Sequence, residues 1–104
     1  VTFKQDIARR IDTDFGQLAD EAIRILTEAV GNNPVLNTDR VIRCIIHLSK
    51  GDLADLTKYI ESAIADPRDV MFWAEYTGIT ESKRPIRLRD FDKTFEKYEL
   101  DVKR

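Results

Sequence analysis

The stretch Asp66 to Tyr76, DPRDVMFWAEY, restricts the fold more than any other part of the chain. Asp66 suits an N-cap. Pro67 suits the first helical position, where its missing N–H has no partner to lose, and Asp69 places negative charge in the electropositive first turn. Val70, Met71, Phe72, Trp73, Ala74 and Tyr76 follow, interrupted only by Glu75. At about 100° per residue these side chains surround the helix axis, so the helix needs cover on every side. Trp73 aligns with Val70 and Ala74 and is expected in the core.

The rest of the chain supplies helices to provide that cover. Phe3, Ile7, Ile11, Phe15, Leu18, Ala22, Leu26 and Ala29 recur in steps of four and three, which is helical spacing. Asp14 and Gln17 stand at capping-box spacing, which predicts a short helix from about Thr2 to Ile11 and a longer one from about Asp14 to Val30. Gly31-Asn32-Asn33-Pro34 is expected to stop the second. A third helix runs from a cap at Asn37 or Thr38 to Lys50 and ends at Gly51; its apolar side covers about 200° of the circumference, so it belongs at the centre. Asp52 caps a fourth helix bearing Leu53, Leu56, Ile60, Ala63 and Ile64, adjacent and antiparallel to the third across Gly51. After Tyr76, residues 77–85 read as loop, and Pro85 to Arg89 alternates apolar and basic, as a short extended segment does. Asp90 then caps a predicted last helix through Phe91, Phe95 and Tyr98, which recur by four and three.

A chain of 104 residues with 42% hydrophobic content, including five Phe, three Tyr and one Trp, is sized for one modest core, which excludes disorder along its whole length. The reading is an all-α single domain over 1–104, a bundle of four to six helices with Thr38 to Lys50 near its centre. Seventeen basic and 19 acidic residues leave a net charge of −2, so no global field draws the protein to nucleic acid or a membrane surface. No run approaches the ~20 apolar residues that span a bilayer, and the N-terminal residues lack the three sections of a secretory signal. Cys44 stands alone, without a disulfide partner or a zinc-site pattern, which favours a reducing, cytoplasmic setting.

Two surfaces are candidate sites. The first is the aromatic helix and the tail after it. Either Ile86, Leu88, Phe91 and Phe95 fold back over Phe72, Trp73 or Tyr76, or one face of the helix buries against a second copy or another protein. The expected interface residues are Met71, Phe72, Tyr76, Phe91 and Phe95, because aromatic residues and Met are enriched at interface centres. The second is a basic ridge, Arg40, Arg43, His47 and Lys50, spaced three, four and three apart on the third helix and extended by Arg87 and Arg89. Cations aligned on one face suit anion or nucleic-acid binding, although a solvated helix face neutralised by neighbouring acids has the same pattern.

Arg40 and His47, separated by Val41 to Ile46, have a spacing that resembles the arginine and histidine motif of the all-helical HEPN ribonucleases. The resemblance covers eight residues and departs from that motif at Val41, where a polar residue is expected; it implies a histidine acid or base beside a phosphate-holding arginine. A surface histidine beside two arginines explains the same spacing, and no family assignment follows. Cys44 and His47 are three apart, but Cys44 lies on the flank of the apolar arc and reads as core. The carboxylate pairs Asp52 with Asp55 and Asp66 with Asp69 each sit in a first helical turn, where capping and the helix dipole explain them. Asp12, Asp14 and Gly16 fail as a calcium loop, because Ile23 stands where the bidentate acid belongs. No metal, cofactor or catalytic residue is expected. The sequence favours a non-enzymatic interaction module, a homodimer or a binder of another protein, over nucleic-acid binding or RNA processing along the ridge.

Overall fold

The computed structural model describes residues 2–76 and 85–100. It has five α-helices: α1 (Gln5–Phe15), α2 (Ala19–Asn32), α3 (Asp39–Ser49), α4 (Leu53–Ala65) and α5 (Pro67–Glu75). Short 3-10 turns at Gly16–Leu18 and Pro34–Leu36 lie on either side of α2. The architecture is all-α, as expected, and no regular strand occurs among the described residues.

Three helix starts have the caps that the sequence predicts. The Thr38 hydroxyl accepts the Val41 amide at 3.2 Å, the Asp52 carboxylate accepts the Asp55 amide at 2.9 Å, and the Asp66 carboxylate accepts the Arg68 amide at 3.0 Å. Pro67 occupies the first turn of α5. Each side chain satisfies a backbone donor that the helix itself leaves open.

The N-terminal boundaries differ from expectation. The first helix continues through Asp14 to Phe15, and Asp14 receives the Arg10 guanidinium at 2.8 Å instead of starting a new helix. Gly31 does not end α2 but lies within it. The stop comes at Asn33, whose backbone N–H and side-chain amide both donate to the Ala29 carbonyl, at 3.0 and 2.9 Å.

Helix α3 is central and packs on α1, α4 and α5. Val41, Ile42, Cys44, Ile45 and Ile46 are all buried, and they meet Ile7 and Ile11 of α1, Leu26 of α2 and Leu56 of α4 in one core. The α3–α4 turn places Lys50 and Gly51 at φ of 50° and 78°. Gly51 also lies against α1 so closely that a Cβ there would fall 2.1 Å from the Asp14 carbonyl oxygen. Glycine is required at this position both by the backbone conformation and by the approach of α1.

Residues 85–100 form a strap rather than a helix. Arg87 bridges to Tyr76 and Arg89 to Glu99 in isolated antiparallel pairs, and the Leu88 and Arg89 amides both donate to the Glu75 carbonyl, at 2.8 and 3.1 Å. The extended character expected from Pro85 to Arg89 is therefore present, but the predicted last helix is not. A helix over Phe91 to Tyr98 needs the Phe95 amide to bond the Phe91 carbonyl. The Phe95 amide instead donates to Asp6 at 3.0 Å, while the Phe91 carbonyl accepts from the Arg43 guanidinium at 3.1 Å. Asp90 closes a local turn in place of a helix start, its carboxylate accepting the Asp92 amide at 3.1 Å.

Candidate functional site

The strap lies over two ion pairs, one buried and one part-buried. Arg43 of α3 is 4% exposed in its side chain and Asp6 of α1 is 8% exposed. The guanidinium donates to both carboxylate oxygens, at 2.9 and 3.2 Å. Burial alone would raise the Asp6 carboxyl. The Arg43 hydrogen bond, the Phe95 amide and the Arg43 charge outweigh it and hold that carboxyl below its ordinary range. One helical turn earlier on α3, Arg40 donates to the fully buried Glu75 of α5 through Nε at 3.1 Å and Nη2 at 2.5 Å. The same carboxylate takes Arg87 at 3.3 Å and the Phe91 amide at 2.9 Å. The Glu75 hydrogen bond is the main reason the Arg40 guanidinium is held even more firmly in its charged form.

The basic ridge is thus not one cationic stripe. Arg40 and Arg43 are committed to Glu75 and Asp6, Arg87 donates to Glu75 and Asp90, and Arg89 donates to the Ala74 carbonyl at 3.2 Å. Lys50 is exposed at the end of α3. His47 is not the surface histidine that its spacing suggested. Its ring lies under the strap, 5.1 Å from the Phe91 ring and 6.0 Å from that of Tyr98, and its Nδ1 is buried with no hydrogen-bond partner among the described residues. Burial, reinforced by the charges of Arg89, Arg10 and Lys50, pushes its pKa down to about 4. Arg40 and His47 therefore do not share an open cleft: one is bound to Glu75 and the other is roofed by aromatic rings.

Four groups, three aromatic and one cationic, build that roof. Phe91 and Tyr98 stack at 5.0 Å, Phe95 meets both edge-on at 5.9 and 5.8 Å, and the Arg10 guanidinium lies 4.7 Å over the Phe95 ring. Phe91, expected at an interface, is fully buried. Phe95 is partly buried and faces Arg10 rather than α5. The strap folds back as one of the sequence readings anticipated and bonds the C-terminal end of α5, but its rings pack over α1 and α3 rather than over Phe72 and Trp73.

The α5 aromatics are consequently left at the surface. Val70, Ala74 and Glu75 face inward, and Phe72 and Trp73 are 45% and 49% exposed. Trp73 is therefore not in the core: Val70 and Ala74 occupy the buried line, and the indole lies on its flank. It contacts Tyr59 of α4 edge-on at 6.4 Å, while Phe72 stacks on Tyr76 at 5.0 Å. Met71 is partly buried against the core, and Ile64 of α4 is 41% exposed.

Cys44 is fully buried, and burial pushes its thiol well above the ordinary range, which disfavours the nucleophilic thiolate. Among the described residues, no group of three or more His, Cys, Asp or Glu side chains is placed to hold a metal ion, and no helix is long and apolar enough to cross a membrane. Sequence reasoning missed Glu75 and Asp6. Glu75 had a visible signal, being the lone charged residue within an otherwise apolar run; Asp6 had none, since its partners stand 37 and 89 positions away. Compared with known protein families, with curated proteins and with solved structures, the chain matches none.

Proposed function

We propose that this domain is a non-enzymatic interaction module that pairs with a second copy through the outer face of α5. The observation that carries this reading is the exposure of two large aromatic neighbours, Phe72 at 45% and Trp73 at 49%, on a helix whose inner line is already buried. Tyr59 and Tyr76 extend the face on either side, each in ring contact with one of them. Burying such rings is strongly favourable, and aromatic anchors dominate the energetics of interfaces. The cations that would serve nucleic acid are turned to internal acceptors instead, which places the ridge second. A lone buried thiol suits a reducing compartment.

Light scattering after size exclusion is expected to give a dimer at micromolar concentration, and a joint Phe72→Ser, Trp73→Ser variant a monomer with unchanged far-UV circular dichroism. Trp73 is the sole tryptophan, so its emission reports the same event. A wild-type protein that stays monomeric with unshifted Trp73 emission across the concentration series rules the proposal out.

A further inference from the structure

The half-buried imidazole of His47, with its Nδ1 fully enclosed, has a position that neither the helix bundle nor the α5 face requires. It sits between the outer surface of α3 and the strap, against the rings of Phe91 and Tyr98. A neutral imidazole has one N–H and one bare nitrogen, and a buried bare nitrogen without a donor is a modest loss. Protonation changes both counts. It adds a charge and a second N–H, and Nδ1 has no acceptor within reach among the described residues.

The charged groups around the ring make that change worse. Arg10 faces it from α1, Lys50 from the end of α3 and Arg89 from the strap, and all three are cations that repel an imidazolium. Tyr98 contributes the flank of its ring. The carboxylates beneath the strap are already occupied: Asp6 by Arg43 and the Phe95 amide, Glu75 by Arg40, Arg87 and the Phe91 amide.

The strap is the element able to yield. It lacks regular secondary structure, and it is held by hydrogen bonds to Ala74, Glu75, Asp6 and Arg43 and by the ion pairs of Glu96 with Arg9 and of Asp92 with Arg40. Both ion pairs beneath it, Arg43 with Asp6 and Arg40 with Glu75, are formed between helices and do not depend on it.

We propose that His47 is a proton-operated latch, holding residues 85–100 closed over α1 and α3 while its ring is neutral and releasing them when the ring takes a proton. The sign follows from linkage. In the closed state the histidine titrates at about 4, below its ordinary 6.5, so the closed state binds fewer protons than the open one. Closure is at full strength above pH 6.5 and weakens as the pH falls from there toward 4. Between pH 8 and pH 5 the closed-to-open ratio drops about 30-fold.

The test is amide exchange by NMR on the full chain, comparing protection of the Phe91 and Phe95 amides with that of a core amide such as Ile45. In the wild type, strap protection falls about 30-fold from pH 8 to pH 5 relative to the core. His47→Leu, which keeps an apolar group beneath the rings, is expected to hold the strap closed with protection that no longer depends on pH over this range. His47→Arg, which fixes a positive charge there, is expected to open the strap at pH 8 while far-UV circular dichroism keeps its helical signal. If His47→Leu shows the same pH dependence as the wild type, the carboxylates rather than the imidazole control the strap and the latch is refuted. A wild-type strap whose protection tracks the core at every pH refutes it equally, whatever the fate of the arginine variant.

Discussion

Replacing Arg43 with methionine should be among the most damaging single changes available to this domain. The guanidinium is 4% exposed, donates to both oxygens of Asp6 and bonds the Phe91 carbonyl. Methionine fills comparable space but leaves the Asp6 carboxylate buried with the Phe95 amide as its remaining strap donor, and it leaves the Phe91 carbonyl without a partner. Breaking a buried pair from one side costs about 3–5 kcal/mol, because the orphaned charge has lost its solvent and its counter-ion together. A domain of this size has about 5–15 kcal/mol in total. The variant should therefore lose about a fifth or more of its stability, and its Tm should fall by about 12 °C or more. Asp6→Leu should cost a similar amount from the other side. The double variant removes both charges at once and should be no less stable than either single change, a coupling of about 3 kcal/mol. Urea titration followed by far-UV circular dichroism measures all four proteins on one scale. If Arg43→Met costs under about 1 kcal/mol, or if the two single losses simply add within about 0.5 kcal/mol, the pair is not the desolvated clamp described here.

Two further outcomes are expected. Gly51→Ala should cost about 3 kcal/mol or more in the same titration, since a Cβ meets the Asp14 carbonyl oxygen at 2.1 Å on a backbone with φ of 78°; Gly16→Ala, where nothing lies within 4 Å, should be milder. Cys44 should resist thiol reagents in the native protein and react fully in urea, and fast labelling without denaturant would contradict its complete burial.

The parts of the fold that were legible in the sequence are those whose causes are local. Thr38, Asp52 and Asp66 cap helices because each satisfies an amide two or three residues ahead. The apolar arc of α3 and the burial of Cys44 follow from periodicity alone. Arg43 shows where this reasoning ends. On a helical wheel it sits in the polar ridge, and its burial is decided by Asp6 and Phe91, distant in sequence and adjacent only after folding. The tail was misread for a related reason. Phe91, Phe95 and Tyr98 have helical spacing, but the amide and carbonyl needed for the helix are taken by Asp6 and Arg43. Trp73 aligns with Val70 and Ala74 on the wheel, but a nine-residue helix with one buried line cannot hide every ring it carries.

The tie between the Asp6 carboxylate and the Phe95 amide spans 89 positions, against 37 for the Arg43 pair beneath it. The entropy of closing a loop grows only with the logarithm of its length, so the longer reach costs about 0.8 kcal/mol more than the shorter one. Distance along the chain is thus a small obstacle to seating the strap. The helices set the order of events: until α1, α3 and α5 have brought Asp6, Arg43 and Glu75 together, Phe91 has nowhere to dock. Folding should therefore run in sequence, with closure of the strap as its last and most readily reversed step.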